Sequence, residues 1–303
     1  MDEATKQLLD PKAIARAEAL GINARFVVEG YMAGEHRSPY RGFAIEFAQH
    51  REYAPGDDVR HLDWKVLGRT DRHYIKQYEQ ETNFVAHVLV DSSESMAYGS
   101  SETTKFDYAR AVAACLSYLV FQQRDAVALG LFRHDIVDYL PRSDNRSQLF
   151  EITSRLAAAK AEGKTDVPEV LHDLAARVKR KGIIVIISDF LDDEDAVLHG
   201  IEHLRFQGHE VVGIHLVDPF EREFPFDGLI NFQGLESVPD VKTRPAEIRR
   251  SYLEEFAAFE KKLHRGFTKN GCHLVTAPTD QPLDDLLTTY LGRRQAAAAA
   301  TAR

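Results

Sequence analysis

The sequence predicts an α/β fold, a doubly wound and mainly parallel sheet flanked by helices, with a small N-terminal β-containing elaboration. Three observations predict it. Segments 84–90 (FVAHVLV), 126–132 (AVALGLF) and 182–188 (GIIVIIS) are almost continuously apolar. Segments with helical apolar spacing separate them. Residues 1–82 share neither pattern, being polar, weakly periodic and rich in Arg, His, Asp, Tyr and Gly. Strands without polar alternation need cover on both faces, which is the signature of a parallel sheet. Helical crossovers between such strands are right-handed and lie on the two faces of the sheet.

The elements follow in order. Ala4 to Ala19 reads as a helix, and Ser38 to Lys76 as short alternating stretches broken by turn residues such as Pro55-Gly56-Asp57. Phe84 to Val90 is the first strand of the α/β part, and Lys105 to Gln122 a long helix. Ala126 to Phe132 is a strand, with a further strand over His134 to Leu140 and a helix over Ser143 to Lys160. Pro168 to Lys179 begins with proline, whose missing N–H costs little in a first helical turn. The strand Gly182 to Ser188, the helix Glu194 to Phe206 and the strand Glu210 to Val217 come next. Arg244 to Asn270 is a long amphipathic helix, Cys272 to Ala277 a strand and Asp280 to Gly292 a final helix. The domain boundaries read as 1–82 for the N-terminal module, 83–294 for the α/β domain and 295–303 for an Ala-rich tail.

Composition sets limits on function. The chain has 303 residues, 44% hydrophobic and 28% charged, with a formal charge of −9. That balance describes a globular domain with a sizeable core. The first 80 residues are nearly neutral, so the acidic excess lies in the remainder. An acidic body argues against nucleic acid, whose binders neutralise phosphates. Cys115 and Cys272 lie in apolar surroundings without metal-ligand spacing and read as reduced core residues. No apolar stretch approaches the roughly 20 residues that a membrane span needs. With no apolar leader at the N-terminus, a cytoplasmic protein is expected.

The chemistry concentrates where the first strand of the α/β part ends, in Val90-Asp91-Ser92-Ser93-Glu94-Ser95-Met96. Asp91, Ser93 and Ser95 are spaced by two, so in extended backbone their side chains face one way. One carboxylate and two hydroxyls form a hard oxygen set suited to Mg²⁺, with Mn²⁺ or Ca²⁺ as alternatives. Thr165, in a loop before a helix, and Asp189, directly after the strand ending at Ser188, add oxygen donors on the same carboxyl edge. Ligands in open α/β sheets bind at that edge. The alternative is that Asp91 and the serines only satisfy backbone N–H groups at a strand-to-helix turn.

Asp91, Ser93, Ser95, Thr165 and Asp189 together resemble the metal-ion-dependent adhesion site of von Willebrand factor type A domains. The resemblance implies that the hydroxyls hold the cation directly, that the aspartates act through water, and that a partner carboxylate completes the coordination. Phe190 and Glu94 stand where many such domains carry glycine, and Glu94 adds negative charge. Upstream, Gly42 to Phe47 (GFAIEF), Arg51 to Lys65 (REYAPGDDVRHLDWK) and Tyr78 to Glu81 (YEQE) resemble domain-of-unknown-function family 58. That resemblance implies a non-enzymatic adaptor or co-chaperone partnering a MoxR-type AAA+ ATPase and its client during protein maturation. The Arg51 to Lys65 charges read either as an internal ion-pair network or as a docking surface. Trp64, the single tryptophan, reads as a buried anchor.

Other chemistries fit poorly. Gly163-Lys164-Thr165 would need glycine five residues before Gly163 to be a phosphate loop, and that residue is Ala158. An aspartyl phosphatase would carry a second aspartate at Ser93. No Gly-x-Ser-x-Gly elbow surrounds either serine. No catalytic residue is therefore assigned. The alternatives to a binding module are a metal-assisted hydrolase at the same edge and a scaffold with an empty site.

Overall fold

The computed structural model describes residues 45–52, 63–70, 72–80, 85–122, 125–145, 147–236 and 238–286. The expected helix Ala4 to Ala19, most of the Arg51 to Lys65 segment and the Ala-rich tail lie outside the described residues. The chain divides into two compact units, one spanning Met32–Asn83 and the other containing everything from Phe84 onward.

The smaller unit contains β1 (Ile45–Glu52), the short helix α1 (Trp64–Thr70) and β2 (Tyr74–Gln80). The strands pair antiparallel from Ile45↔Gln80 to Glu52↔Tyr74, with an irregularity between Phe47 and Gln49. The Asp63 side chain accepts from the Val66 N–H at 3.2 Å, closing the first turn of α1. Trp64 does not bear out the expected anchor: it is 67% exposed. As the first residue of a seven-residue helix, its ring has few neighbouring turns to pack against.

The larger unit runs β3 (Val85–Asp91), a 3₁₀ turn (Glu94–Ala97), α2 (Lys105–Gln122), β4 (Ala126–Phe132), β5 (Ile136–Ser143), α3 (Ser147–Ala158), α4 (Val167–Arg177) and β6 (Ile183–Ser188). It continues with α5 (Glu194–Phe206), β7 (Glu210–Val217), α6 (Pro219–Glu223), β8 (Ile230–Phe232), β9 (Val241–Thr243), α7 (Pro245–Lys269) and β10 (His273–Pro278). The final helix begins at 283 and runs to the last described residue, Leu286. Ser143 belongs to β5, where it pairs with Val127, so α3 starts later than its periodicity suggests. The β8–β9 hairpin and α6 were not anticipated from the sequence.

Six strands form one sheet in the order β10-β7-β6-β3-β4-β5. All neighbours are parallel except the edge pair β4–β5. The architecture is the expected doubly wound α/β sheet. Chain order reverses between β3 and β6, the first strand and the one that follows the edge strand. That reversal is the topological switch point, where the loops at the carboxyl ends part and leave a crevice.

Burial explains why β3 and β6 are apolar without alternation. Ala86, Val88 and Val90 pack on one face with Ile183, Val185, Ile187 and helix α2. Leu89, Ile184 and Ile186 pack on the opposite face with residues of α4, α5 and α7. Both faces of each strand are core, and their β-branched residues suit that pleated surface. Truncating one fully buried side chain here, as in Leu89→Ala, costs about 2–5 kcal/mol. Cys115 and Cys272 are both buried thiols. Among the described residues, no helix is long and apolar enough to cross a membrane.

His87 sits among these apolar residues and is 4% exposed. Burial, then the positive charges of His209 and Arg142, push its imidazole down to about 4. The folded state therefore favours the neutral ring. Its stabilisation is complete above the unfolded value near 6.5 and is lost as pH falls towards 4. Wild-type protein should lose about 3 kcal/mol through this group between pH 7 and pH 4. Urea denaturation of His87→Gln should show a correspondingly shallower acid slope. Equal slopes in the two proteins would contradict the assignment.

Candidate metal centre

The site forms because β3 delivers Asp91 to the crevice edge and the chain then turns sharply. Asp91 is fully buried. Its Oδ1 accepts from the Ser93 N–H at 2.9 Å, and its Oδ2 accepts from the Ser188 hydroxyl at 2.6 Å. The first contact is the backbone-satisfying role expected of an aspartate at a strand-to-helix turn. The second reaches across the switch point to the end of β6. Beyond the turn, the Ser93 and Ser95 hydroxyls lie 3.1 Å apart, both in buried residues.

The Thr165 loop is stitched to this turn by backbone bonds. The Glu162 N–H donates to the Ser92 carbonyl at 2.9 Å, and the Glu94 N–H donates to the Gly163 carbonyl at 2.8 Å. Asp166 then caps α4 by accepting from the Glu169 N–H. Thr165 is thereby held against the Asp-x-Ser-x-Ser turn. Its Oγ1 is buried and has no hydrogen-bond partner. Leaving a buried hydroxyl unpaired costs about 1–3 kcal/mol.

Asp189 joins from β6 and is 1% exposed. Ser95 hydrogen-bonds its carboxylate, and its negative charge acts on Asp91. The structure thus brings together the five residues singled out in the sequence. It also shows what the sequence did not reveal. The Lys105 ammonium, on a residue 1% exposed, donates to Asp189 Oδ2 at 2.8 Å and to Glu221 Oε1 at 2.7 Å. Burial alone would lower the Lys105 pKa, but the two carboxylates overcome it and hold the ammonium above its ordinary value. Burial would likewise raise Asp189, yet Lys105 wins and holds that carboxyl below the usual range. Among the described residues, no cation is paired with Asp91. Burial first, and the Asp189 charge second, push its carboxyl well above the usual range.

Asp218 and Glu221 complete the rim. The Asp218 side chain accepts from the Phe220 N–H at 2.8 Å and the Ser100 N–H at 2.7 Å. The Glu221 side chain accepts from the Asp218 N–H, closing a capping box on α6. Phe190 explains the glycine found at its position in similar sites. Its φ is 54°, a left-handed conformation that glycine adopts freely. Its fully buried ring offsets that strain by packing edge-on against Phe267 and His215.

Lys105 left a faint signal: it lies four and seven residues before Ala109 and Val112, in line with the apolar stripe of α2. Glu221 and Ser188 left none, because their partners are remote in sequence. The donor set is two aspartates and three hydroxyls, and among the described residues no cluster of three His, Cys, Asp or Glu has metal-holding geometry. The all-oxygen set matches a hard divalent cation rather than a soft metal that prefers thiolate or imidazole.

The chain belongs to the family described as protein of unknown function DUF58, which matches residues 49–262. It is similar to uncharacterized proteins of Mycobacterium bovis and Mycobacterium tuberculosis. Each is 28% identical over 298 residues, covering 96% of this chain and 92% of the relative. Similar solved structures include a conserved hypothetical protein BatB from Bacteroides thetaiotaomicron, with a TM-score of 0.48 and 13% identity. That likeness covers 72% of this chain and 98% of the other. The SpRpn10 VWA domain gives a TM-score of 0.41 and 14% identity, covering 69% and 95% respectively.

The Lys105 cluster is testable by removal of its cation. Lys105→Met leaves two carboxylates buried together and should cost about 3–5 kcal/mol in urea denaturation. Adding Asp189→Asn and Glu221→Gln should recover most of that loss. A cost below about 1 kcal/mol would show that the three groups do not depend on one another.

Proposed function

We propose that this chain is a protein-binding module with a cation-dependent adhesion site. Asp91, Ser93, Ser95, Thr165 and Asp189 would hold the ion, which is Mg²⁺, with Mn²⁺ or Ca²⁺ as substitutes. The observation that carries this reading is the buried, partnerless Thr165 Oγ1, in a loop whose backbone is bonded to the turn that holds the paired Ser93 and Ser95 hydroxyls. A cation satisfies all three oxygens at once. The elevated Asp91 carboxyl supports the same reading, because a cation relieves the charge that burial and Asp189 impose. Asp189 already has Lys105 as a counter-ion, which suits it to a role through water rather than direct ligation. When bound, the ion would supply a Lewis-acidic point of attachment for a carboxylate. The residues of this chain position it at the crevice and limit water around it.

The reading favours binding over catalysis because the serine hydroxyls bond to each other and, among the described residues, no histidine or lysine bonds to either. The partner we propose is a MoxR-type AAA+ ATPase together with its client. Family membership supports a common role across these chains, and the absence of a phosphate-loop pattern at Thr165 leaves the energy source to that partner. The Asp218 and Glu94 side chains on the same rim would discriminate against a partner that presents several acidic groups.

Saturating Mg²⁺ should raise the melting temperature by several degrees, since a ligand at one hundred times its Kd contributes about 2.7 kcal/mol. Asp91→Asn combined with Ser93→Ala should remove the shift while leaving the circular dichroism spectrum unchanged. Capture of the ATPase should fail in EDTA and return with Mg²⁺. A melting temperature indifferent to Mg²⁺ and Mn²⁺, or capture indifferent to EDTA, would overturn the proposal.

A further inference from the structure

The turn between β8 and β9 reaches the site from far along the chain. Glu236 Oε1 accepts from the Ser95 N–H at 3.3 Å, and Oε2 accepts from the Thr165 N–H at 3.0 Å. Its own N–H donates to Glu94 Oε2 at 2.8 Å. One residue thus clasps both sides of the crevice, using the backbones of two residues whose side chains form the oxygen set. Among the described residues, its carboxylate accepts from two backbone N–H groups, beside an acidic cluster. The two N–H bonds fix the carboxylate against the residues of the oxygen set.

The turn is shaped to deliver that carboxylate. Glu236 has φ 55°, which costs a non-glycine residue of order 1 kcal/mol or more. The Val238 N–H donates to the Leu235 carbonyl at 3.0 Å, and the Gly234 N–H to Asp240 Oδ1 at 3.1 Å. A Cβ on Gly234 would lie 1.8 Å from the Val238 carbonyl oxygen, so only glycine permits the turn to close this tightly. The rest of the hairpin is short and partly exposed. Each strand has three residues, and Leu229, Val238 and Val241 are 63%, 61% and 52% exposed. A two-stranded hairpin of this size has little stability of its own.

We infer that Glu236 is a tethered carboxylate of the cation site, standing where the acidic side chain of a protein partner docks. The inference rests on the cation-site reading above and deepens it. The partner contributes a single Asp or Glu, and the β8–β9 turn withdraws to admit it. Until then Glu236 keeps the coordination from being completed by another molecule.

The test is Mn²⁺ titration calorimetry on the full chain, comparing wild type with Glu236→Ala, Glu236→Gln and Gly234→Ala. Removing the carboxylate should weaken Mn²⁺ binding by about tenfold. Acetate should restore the affinity of Glu236→Ala, whereas chloride at equal ionic strength should not. Acetate should leave wild type unchanged. Gly234→Ala, which keeps the carboxylate but opens the turn, should also respond to acetate. A Glu-containing peptide should bind Mn²⁺-loaded Glu236→Ala more tightly than Mn²⁺-loaded wild type. Glu236→Gln keeps an oxygen acceptor and the turn's shape, so weakened Mn²⁺ binding there reports the lost charge rather than misfolding. If wild type binds Mn²⁺, Asp91→Ala abolishes binding and the Glu236 variants match wild type without an acetate effect, Glu236 is only a clip and the cation site stands. If wild type binds no Mn²⁺, both readings fall together.

Discussion

Carboxylates crowd the carboxyl ends of three neighbouring strands, and among the described residues one ammonium serves them. Asp91 ends β3, Asp189 follows β6, and Asp218 follows β7, all at most 1% exposed. Glu221 stands beside them, and Lys105 bridges it to Asp189. Burying charge is costly unless each group is paired or hydrogen-bonded. The loops here are arranged around that constraint. Asp218 is satisfied by two backbone N–H groups, Asp189 by Lys105, and Glu221 by Lys105 and the start of α6. Asp91 accepts from the Ser93 N–H and the Ser188 hydroxyl, and burial, then the Asp189 charge, still push its carboxyl up. The divalent ion proposed for that point would balance this charge.

The fold makes this crowding unavoidable. Parallel strands end at one edge, and the reversal of winding between β3 and β6 opens the crevice where Asp91 and Asp189 meet. A second constraint comes from below. Phe190 contacts Phe267 and His215, His215 contacts Phe259, and Phe256 and Tyr252 continue the ring contacts to Phe224. Phe224 stacks on Phe232 of β8. The loop that carries Asp189 and the hairpin that carries Glu236 therefore rest on one train of aromatic rings along α7. That shared support places Glu236 over the site even though the hairpin itself is short.

Much of the fold was legible because its signals are local. β4, β7, α2 and α5 match their apolar periodicity at both ends, since strand and helix spacing there is uninterrupted. The ends of α3 were misjudged, as Ser143 extends the edge strand instead of opening a helix. The spacing of Asp91, Ser93 and Ser95 was a weak signal by itself, and it gained weight from Thr165 in a loop before a predicted helix and Asp189 directly after a predicted strand. Lys105, Ser188, Glu221 and Glu236 were not, because each meets the site across 71 to 142 residues of chain. Trp64 was misread because tryptophan is usually an anchor, whereas here it is exposed on a short helix. Contacts of that length leave no periodic trace.

The central claim is that three hydroxyls and the two aspartates converge on one cation at the switch point. Crystals grown with Mn²⁺ test it most directly, through anomalous scattering at the manganese edge. The account predicts one strong peak within about 2.5 Å of the Ser93, Ser95 and Thr165 hydroxyl oxygens. No peak there, or a peak only at surface carboxylates, would contradict it.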